Sequence, residues 1–104
     1  MAGLYYNRGL VLISRGDPEG ARKEFLAALE EASRESFAPV REQISVYSHT
    51  QLGAIAVKER DYREALRWYR MAEEEQSRFG GNWVPNLNAT REKLETMADS
   101  PPCP

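Results

Sequence analysis

Apolar residues along this chain recur at the spacing of one face of an α-helix, with polar residues between them. The clearest stripe is Ala21, Phe25, Ala28, Leu29 and Ala32, at positions i, i+4, i+7, i+8 and i+11. Residues typical of helix starts and stops separate five such segments. The sequence therefore predicts an all-α protein without sheet, with about five helices at about residues 3–14, 18–35, 39–59, 61–78 and 85–98.

Local signals set the predicted starts of the second and fourth helices. Gly16 permits a left-handed backbone, Asp17 can cap a helix, and Pro18 suits the first helical position. Asp61 is followed three residues later by Glu64, which is the spacing of a capping box. We therefore expect tight turns before both helices.

A recurring tripeptide stands at the start of the third and fifth predicted helices. Phe37-Ala38-Pro39 recurs as Trp83-Val84-Pro85, each time just past the end of the preceding helix. We expect Pro39 and Pro85 to open the helices that follow them. Gly80 can take the left-handed conformation that ends the fourth helix.

The helical pattern occurs twice, with a period of 44 residues. Gly9, Asp17, Ala21, Phe25 and Ala28 are matched by Gly53, Asp61, Ala65, Tyr69 and Ala72. In both copies the glycine of the first helix and the first alanine of the second are 12 positions apart. This spacing fits two antiparallel helices that cross closely where their side chains are smallest.

The repeated pattern resembles the tetratricopeptide repeat. The two copies read Tyr5-x2-Arg8-Gly9-x2-Leu12 with Ala21-x3-Phe25, and His49-x2-Leu52-Gly53-x2-Ala56 with Ala65-x3-Tyr69. The resemblance implies a fragment of an α-solenoid made of antiparallel helix-turn-helix units. On this interpretation residues 1–98 form one domain, with repeats at about 3–35 and 39–79 and a capping helix at about 85–98. Residues 99–104 would form a disordered tail.

The first predicted helix is apolar on nearly every side. Leu4, Tyr6, Leu10, Val11 and Ile13 point in different directions at 3.6 residues per turn. Such a helix needs cover on all sides, from a preceding repeat or from another chain. We therefore expect the chain to be the last part of a longer repeat array or an excised domain, with a homo-oligomer as the alternative.

Composition narrows the classes of partner. A net charge of −2 with mixed signs gives no field that would attract nucleic acid. No apolar run approaches the roughly 20 residues that cross a bilayer, so we expect no membrane partner and a soluble, cytoplasmic protein. The single Cys103 excludes an internal disulfide and a cysteine metal site.

The sequence offers no catalytic constellation. His49 is the only histidine, and we expect it to pack between helices or at their edge rather than to act as a base. Gly80-Gly81 lacks the downstream lysine of a phosphate-binding loop. We therefore expect a protein that is not an enzyme and that binds no cofactor or metal.

The remaining candidate is a binding surface. Tetratricopeptide arrays turn the first helix of each repeat toward a concave groove, and the resemblance implies the same here. The groove residues would be Tyr6, Leu10, Ile13, Tyr47, Thr50, Ala54, Val57 and Lys58. Tyr5, Gly9 and Leu12 would then face the partner helix in the core. We expect a non-catalytic interaction module that binds a peptide or helix of another protein, or alternatively a self-association domain of a larger repeat protein.

Overall fold

The computed structural model describes residues 2–99, which form five α-helices and no strand. The helices are α1 (Ala2–Ser14), α2 (Pro18–Ala32), α3 (Ala38–Lys58), α4 (Tyr62–Phe79) and α5 (Leu87–Asp99). The all-α prediction and the number of helices are confirmed. α5 includes Asp99, the first residue of the predicted tail, and the other residues of that tail, 100–104, lie outside the described part.

Each helix packs against the next one along the chain. α1 contacts α2, α2 contacts α3, α3 contacts α4, and α4 contacts α5, while α1 also touches α3. The molecule is flat, with extents of 49 × 32 × 18 Å. Since packed helices lie about 8–10 Å apart, a thickness of 18 Å accommodates two layers of helices.

The 44-residue repeat has a structural counterpart at the two helix crossings. A Cβ atom on Gly9 would lie 2.6 Å from Phe25 Cε1, and one on Gly53 would lie 2.7 Å from Tyr69 Cδ2. The aromatic ring of the second helix therefore lies directly on the backbone of the first helix in both repeats. Ala21 and Ala65 are fully buried beside these rings.

The two tight turns also have the same geometry. Gly16 and Arg60 both adopt left-handed backbone, with φ of 78° and 61°. The N–H of Asp17 then donates to Leu12 O at 2.9 Å, and the N–H of Asp61 donates to Ala56 O at 2.9 Å. Each turn thus ends one helix and places an aspartate at the start of the next.

The predicted aspartate caps form, but the capping box at the second turn is only half formed. Asp61 Oδ1 accepts from the N–H of Glu64 at 3.3 Å. The reciprocal bond is missing because the N–H of Asp61 already donates to Ala56 O. The carboxylate of Glu64 instead pairs with Arg67 at 3.1 Å.

Two predicted helix boundaries were wrong. α2 ends at Ala32 rather than at about residue 35, where the chain continues in short turns such as Glu35 N–H to Ala32 O. α5 begins at Leu87 rather than at Pro85 because Asn86 takes a left-handed φ of 62°, which no α-helix accommodates. Pro85 therefore lies in the connecting turn.

Three apolar clusters hold the helices together. The first joins α2 to α3 through Ala21, Phe25, Leu52 and Ile55. The second joins α3, α4 and α5 through Ala56, Ala65, Leu66 and Leu94. The third joins the same helices near the α4–α5 loop through Val46, Ala72 and Leu87.

The α4–α5 loop is held by a side chain as well as by apolar contacts. The carboxamide of Gln76 accepts from Val84 N–H at 2.8 Å and donates to Val84 O at 2.9 Å. Trp83 packs on the third cluster beside Val84. Gln76 therefore satisfies both backbone groups of Val84.

We predict that Gly9→Ala and Gly53→Ala destabilise the protein, although alanine is the better helix former. The new methyl group would overlap a packed aromatic ring, and overpacking costs about 1–3 kcal/mol. This cost opposes a propensity gain of about 0.5–1 kcal/mol. Urea unfolding should show a lower free energy of unfolding for both variants.

Gly3→Ala is the matched control for these two variants. It lies in α1 with Gly9, but nothing stands within 4 Å of its Cβ position. It should leave the free energy of unfolding unchanged or raise it. Equal effects of Gly3→Ala and Gly9→Ala would contradict the close crossing.

Candidate functional site

The predicted groove residues lie partly together, on the surface between α1 and α3. The ring of Tyr6 is 5.9 Å from that of Tyr47, and Gln51 Nε2 donates to Tyr6 Oη at 3.4 Å. Gln51 also lines a cavity with Ile13, Ala54 and Lys58. We call this surface the α1–α3 face and define it by Tyr6, Leu10, Ile13, Tyr47, Gln51, Ala54 and Lys58.

Leu10 belongs to this face by its position. It lies four residues after Tyr6 and three before Ile13, so the three share one side of α1. Its side chain is exposed, with 38% of its surface accessible. It is therefore the most available apolar side chain on the face.

Thr50 and Val57 are not joined to the face by contacts. The hydroxyl of Thr50 donates to Val46 O at 2.8 Å, within its own helix. Val57 packs against the second cluster, beside residues of α4 and α5. Both side chains thus make other contacts.

The division of α1 into a groove side and a core side needs correction. Tyr6 and Ile13 are half-buried and pack against the first cluster, together with Leu12. Tyr6 lies 5.5 Å from the ring of Phe25, whereas Tyr5 lies under the guanidinium group of Arg8. Tyr6 therefore belongs to the core and to the face at once.

Burial changes the acidity of Tyr6. Loss of solvent raises the pKa of its phenol above 10.0, and the bond from Gln51 lowers it by less. The hydroxyl therefore stays protonated at neutral pH and can donate a hydrogen bond. Tyr47 uses its own hydroxyl to donate to Trp83 O at 3.4 Å, which ties the face to the α4–α5 loop.

Gln51, Pro18 and Trp83 are not among the residues that the sequence predicts for the candidate surface. Pro18 lines the cavity together with Gln51, and Trp83 O accepts the bond from Tyr47. Gln51 stands four residues after Tyr47 and three before Ala54, so helical spacing alone places it on the same side of α3. Trp83 comes from a loop, and its place beside Tyr47 depends on tertiary packing. No periodic signal could have indicated it.

A buried polar cluster lies away from this face, between α3 and α4. Glu75 accepts two hydrogen bonds, one from His49 Nδ1 at 2.5 Å and one from Ser45 Oγ at 2.7 Å. The imidazole stacks on Trp68 with ring centroids 5.6 Å apart. His49 is 7% exposed, so it packs between the helices as the sequence predicted.

The polar cluster has the geometry of a structural link. Both hydrogen bonds end on the carboxylate of Glu75, which belongs to α4, whereas Ser45 and His49 both belong to α3. The cluster therefore fastens the middle of α3 to α4.

Among residues 2–99, no group of three or more His, Cys, Asp or Glu side chains is arranged to hold a metal ion. Within the same residues, no helix is both long enough and apolar enough to cross a membrane. Comparisons with protein families, curated proteins and solved structures find no match for this chain.

We predict that Glu75 makes the protein more stable above about pH 4.5 than below it. Burial by itself would raise the pKa of Glu75, but the bonds from His49 and Ser45 and the nearby charge of Arg78 hold it below 4.5. A depressed pKa stabilises the fold while the carboxylate is ionised, and this stabilisation is lost as the pH falls through the folded-state pKa.

Glu75→Gln should lower the free energy of unfolding at pH 7 by about 1–3 kcal/mol, since hydrogen bonds to a charged group are lost. It should also flatten the dependence of stability on pH below 4.5. Urea unfolding from pH 3 to pH 7 measures both effects. Glu74→Gln is the control, since Glu74 is 76% exposed. Parallel pH curves for wild type and Glu75→Gln would exclude this role.

Proposed function

We propose that this protein is a non-catalytic protein-interaction module that binds a peptide or a helix of another protein on the α1–α3 face. The observation that carries the proposal is the clustering of predicted groove residues: Tyr6, Ile13, Tyr47, Ala54 and Lys58 share one face through direct contacts or a common cavity. A surface with apolar, aromatic and cationic groups beside a cavity suits a protein ligand.

The repeat geometry supports the tetratricopeptide-like interpretation behind this proposal. The glycine–aromatic crossings and the left-handed turns recur at a spacing of 44 residues. Arrays of such repeats use the first helices for recognition, which here are α1 and α3. A scaffold role in the cytoplasm, without a nucleic-acid or membrane partner, belongs to the same proposal.

Peptides that are selected from a library for binding to this protein test the proposal. A library of random peptides, fused through their C-termini to a carrier, is selected against the full chain, and the enriched peptides are titrated into isotope-labelled protein. We expect amide shifts in α1 and α3. Leu10→Asp should weaken binding at least about fivefold, the loss typical of an interface residue that matters.

Leu26→Asp is the matched control. Leu26 has 45% of its surface accessible, a fraction similar to the 38% of Leu10, but it lies on α2. Its replacement should leave peptide affinity unchanged. If no peptide is enriched, or if the amide shifts avoid the α1–α3 face, the proposed function is wrong.

The outer side of α1 favours a second candidate, self-association as a structural domain. Leu4 and Val11 are each 47% exposed on the side opposite Gly9. The chain has no Asp or Glu before Asp17, so the only charged residue between Leu4 and Val11 on this side of α1 is a cation, Arg8.

This candidate predicts a dimer or larger species in sedimentation equilibrium. Leu4→Asp combined with Val11→Asp should then yield monomers with unchanged helical circular dichroism. A wild-type chain that stays monomeric at its highest attainable concentration would exclude self-association. Peptide binding on the α1–α3 face is unaffected by that outcome.

A further inference from the structure

A cavity of about 260 Å³ lies at one end of the α1–α3 face. The α1–α2 turn forms one wall and the C-terminal half of α3 forms the other, through Ile13, Gly16, Pro18, Ala54, Ile55 and Lys58. An apolar cavity of about 150 Å³ can hold benzene. This one therefore has room for one large apolar side chain.

The second repeat carries an aromatic ring at the corresponding place in the sequence. Ile13 and Pro18 correspond to Val57 and Tyr62, 44 residues later. Val57 and Tyr62 each pack against the second cluster, as do Met97 and Ala98 of α5. The first repeat has proline where the second has this aromatic ring, and a cavity remains there. An aromatic side chain is therefore the group that this architecture accommodates at that place.

The edge of the cavity carries one unpaired charge. Glu59 is held by the guanidinium group of Arg22. Lys58 is exposed, and no carboxylate of residues 2–99 pairs with it. An ammonium group beside an apolar cavity favours a ligand that presents a carboxylate next to its apolar side chain.

We infer that the cavity receives one aromatic side chain of a partner peptide, and that an acidic side chain near it in the peptide pairs with Lys58. The inference rests on the proposed function and adds the class of peptide that the face selects. The aromatic ring provides most of the affinity because it is buried, and the ion pair at the exposed edge provides selectivity.

The test uses peptides enriched from the C-terminally fused library, so that any carboxylate near the cavity comes from a side chain. We expect an aromatic residue close to Asp or Glu in these peptides. Pro18→Tyr introduces the residue found at position 62 and should fill the cavity with the protein's own side chain. It should lower the affinity for these peptides at least about tenfold, because a buried anchor residue can no longer enter. Its helical circular dichroism should be unchanged.

Lys58→Glu provides a second readout that leaves the cavity in place. It should weaken acidic peptides about two- to fivefold, the range of an exposed ion pair, and increasing salt should remove the difference. Lys23→Glu is the control, since Lys23 is an exposed lysine on α2. Replacing the peptide's acidic residue by its amide should abolish the effect of Lys58→Glu.

The outcomes separate the two proposals. If enriched peptides bind the α1–α3 face but lack the aromatic and acidic pair, or tolerate both Pro18→Tyr and Lys58→Glu, this inference is wrong and the proposed function stands. If no peptide binds the face at all, both are wrong. If Pro18→Tyr does not fold, Lys58→Glu decides the question. The inference is wrong if Lys58→Glu binds with full affinity those peptides whose binding to wild type requires their acidic residue.

Discussion

The architecture depends on two close helix crossings, each made by a glycine beneath an aromatic ring. At Gly9 and at Gly53 the ring of the next helix lies where any Cβ atom would collide. Because the backbones approach so closely, Ala21 and Ala65 become fully buried next to the crossings. The separation of each helix pair at its crossing is thereby fixed. The surface between α1 and α3 is a consequence of how two such pairs stack.

Much of this fold could be predicted because it is encoded locally. The spacing of apolar residues located five helices, and the aspartate caps at Asp17 and Asp61 follow from short-range chemistry. The late start of α5 also has a local cause, since Asn86 adopts the left-handed backbone that asparagine tolerates better than most residues. Arg60 adopts the same conformation at the turn before α4, at a cost of about 1–2 kcal/mol, and its residue type gives no sign of this.

The candidate site was less accessible to sequence reasoning. Helical spacing placed Tyr47, Ala54 and Lys58 on one side of α3 and Tyr6 and Ile13 on one side of α1. It could not show that Tyr6 and Ile13 also pack against the first cluster. Tyr6 is half-buried because Phe25 of α2 and Tyr47 of α3 both reach its ring, and this is a three-helix contact. Pro18 lines the cavity, whereas Tyr62 at the matching position of the second repeat packs on the second cluster. This difference between the repeats becomes visible only in the folded structure.

The packing of each helix on its neighbours in the chain has a kinetic consequence. When nearly all contacts join consecutive helices, loops that must close during folding are short, and such topologies fold quickly. Opening likewise starts at the ends, where α1 and α5 each have fewer packed neighbours than α3. Amide protons of α3 should therefore exchange with solvent most slowly. The α1–α3 face would then combine one early-opening helix with the most protected one.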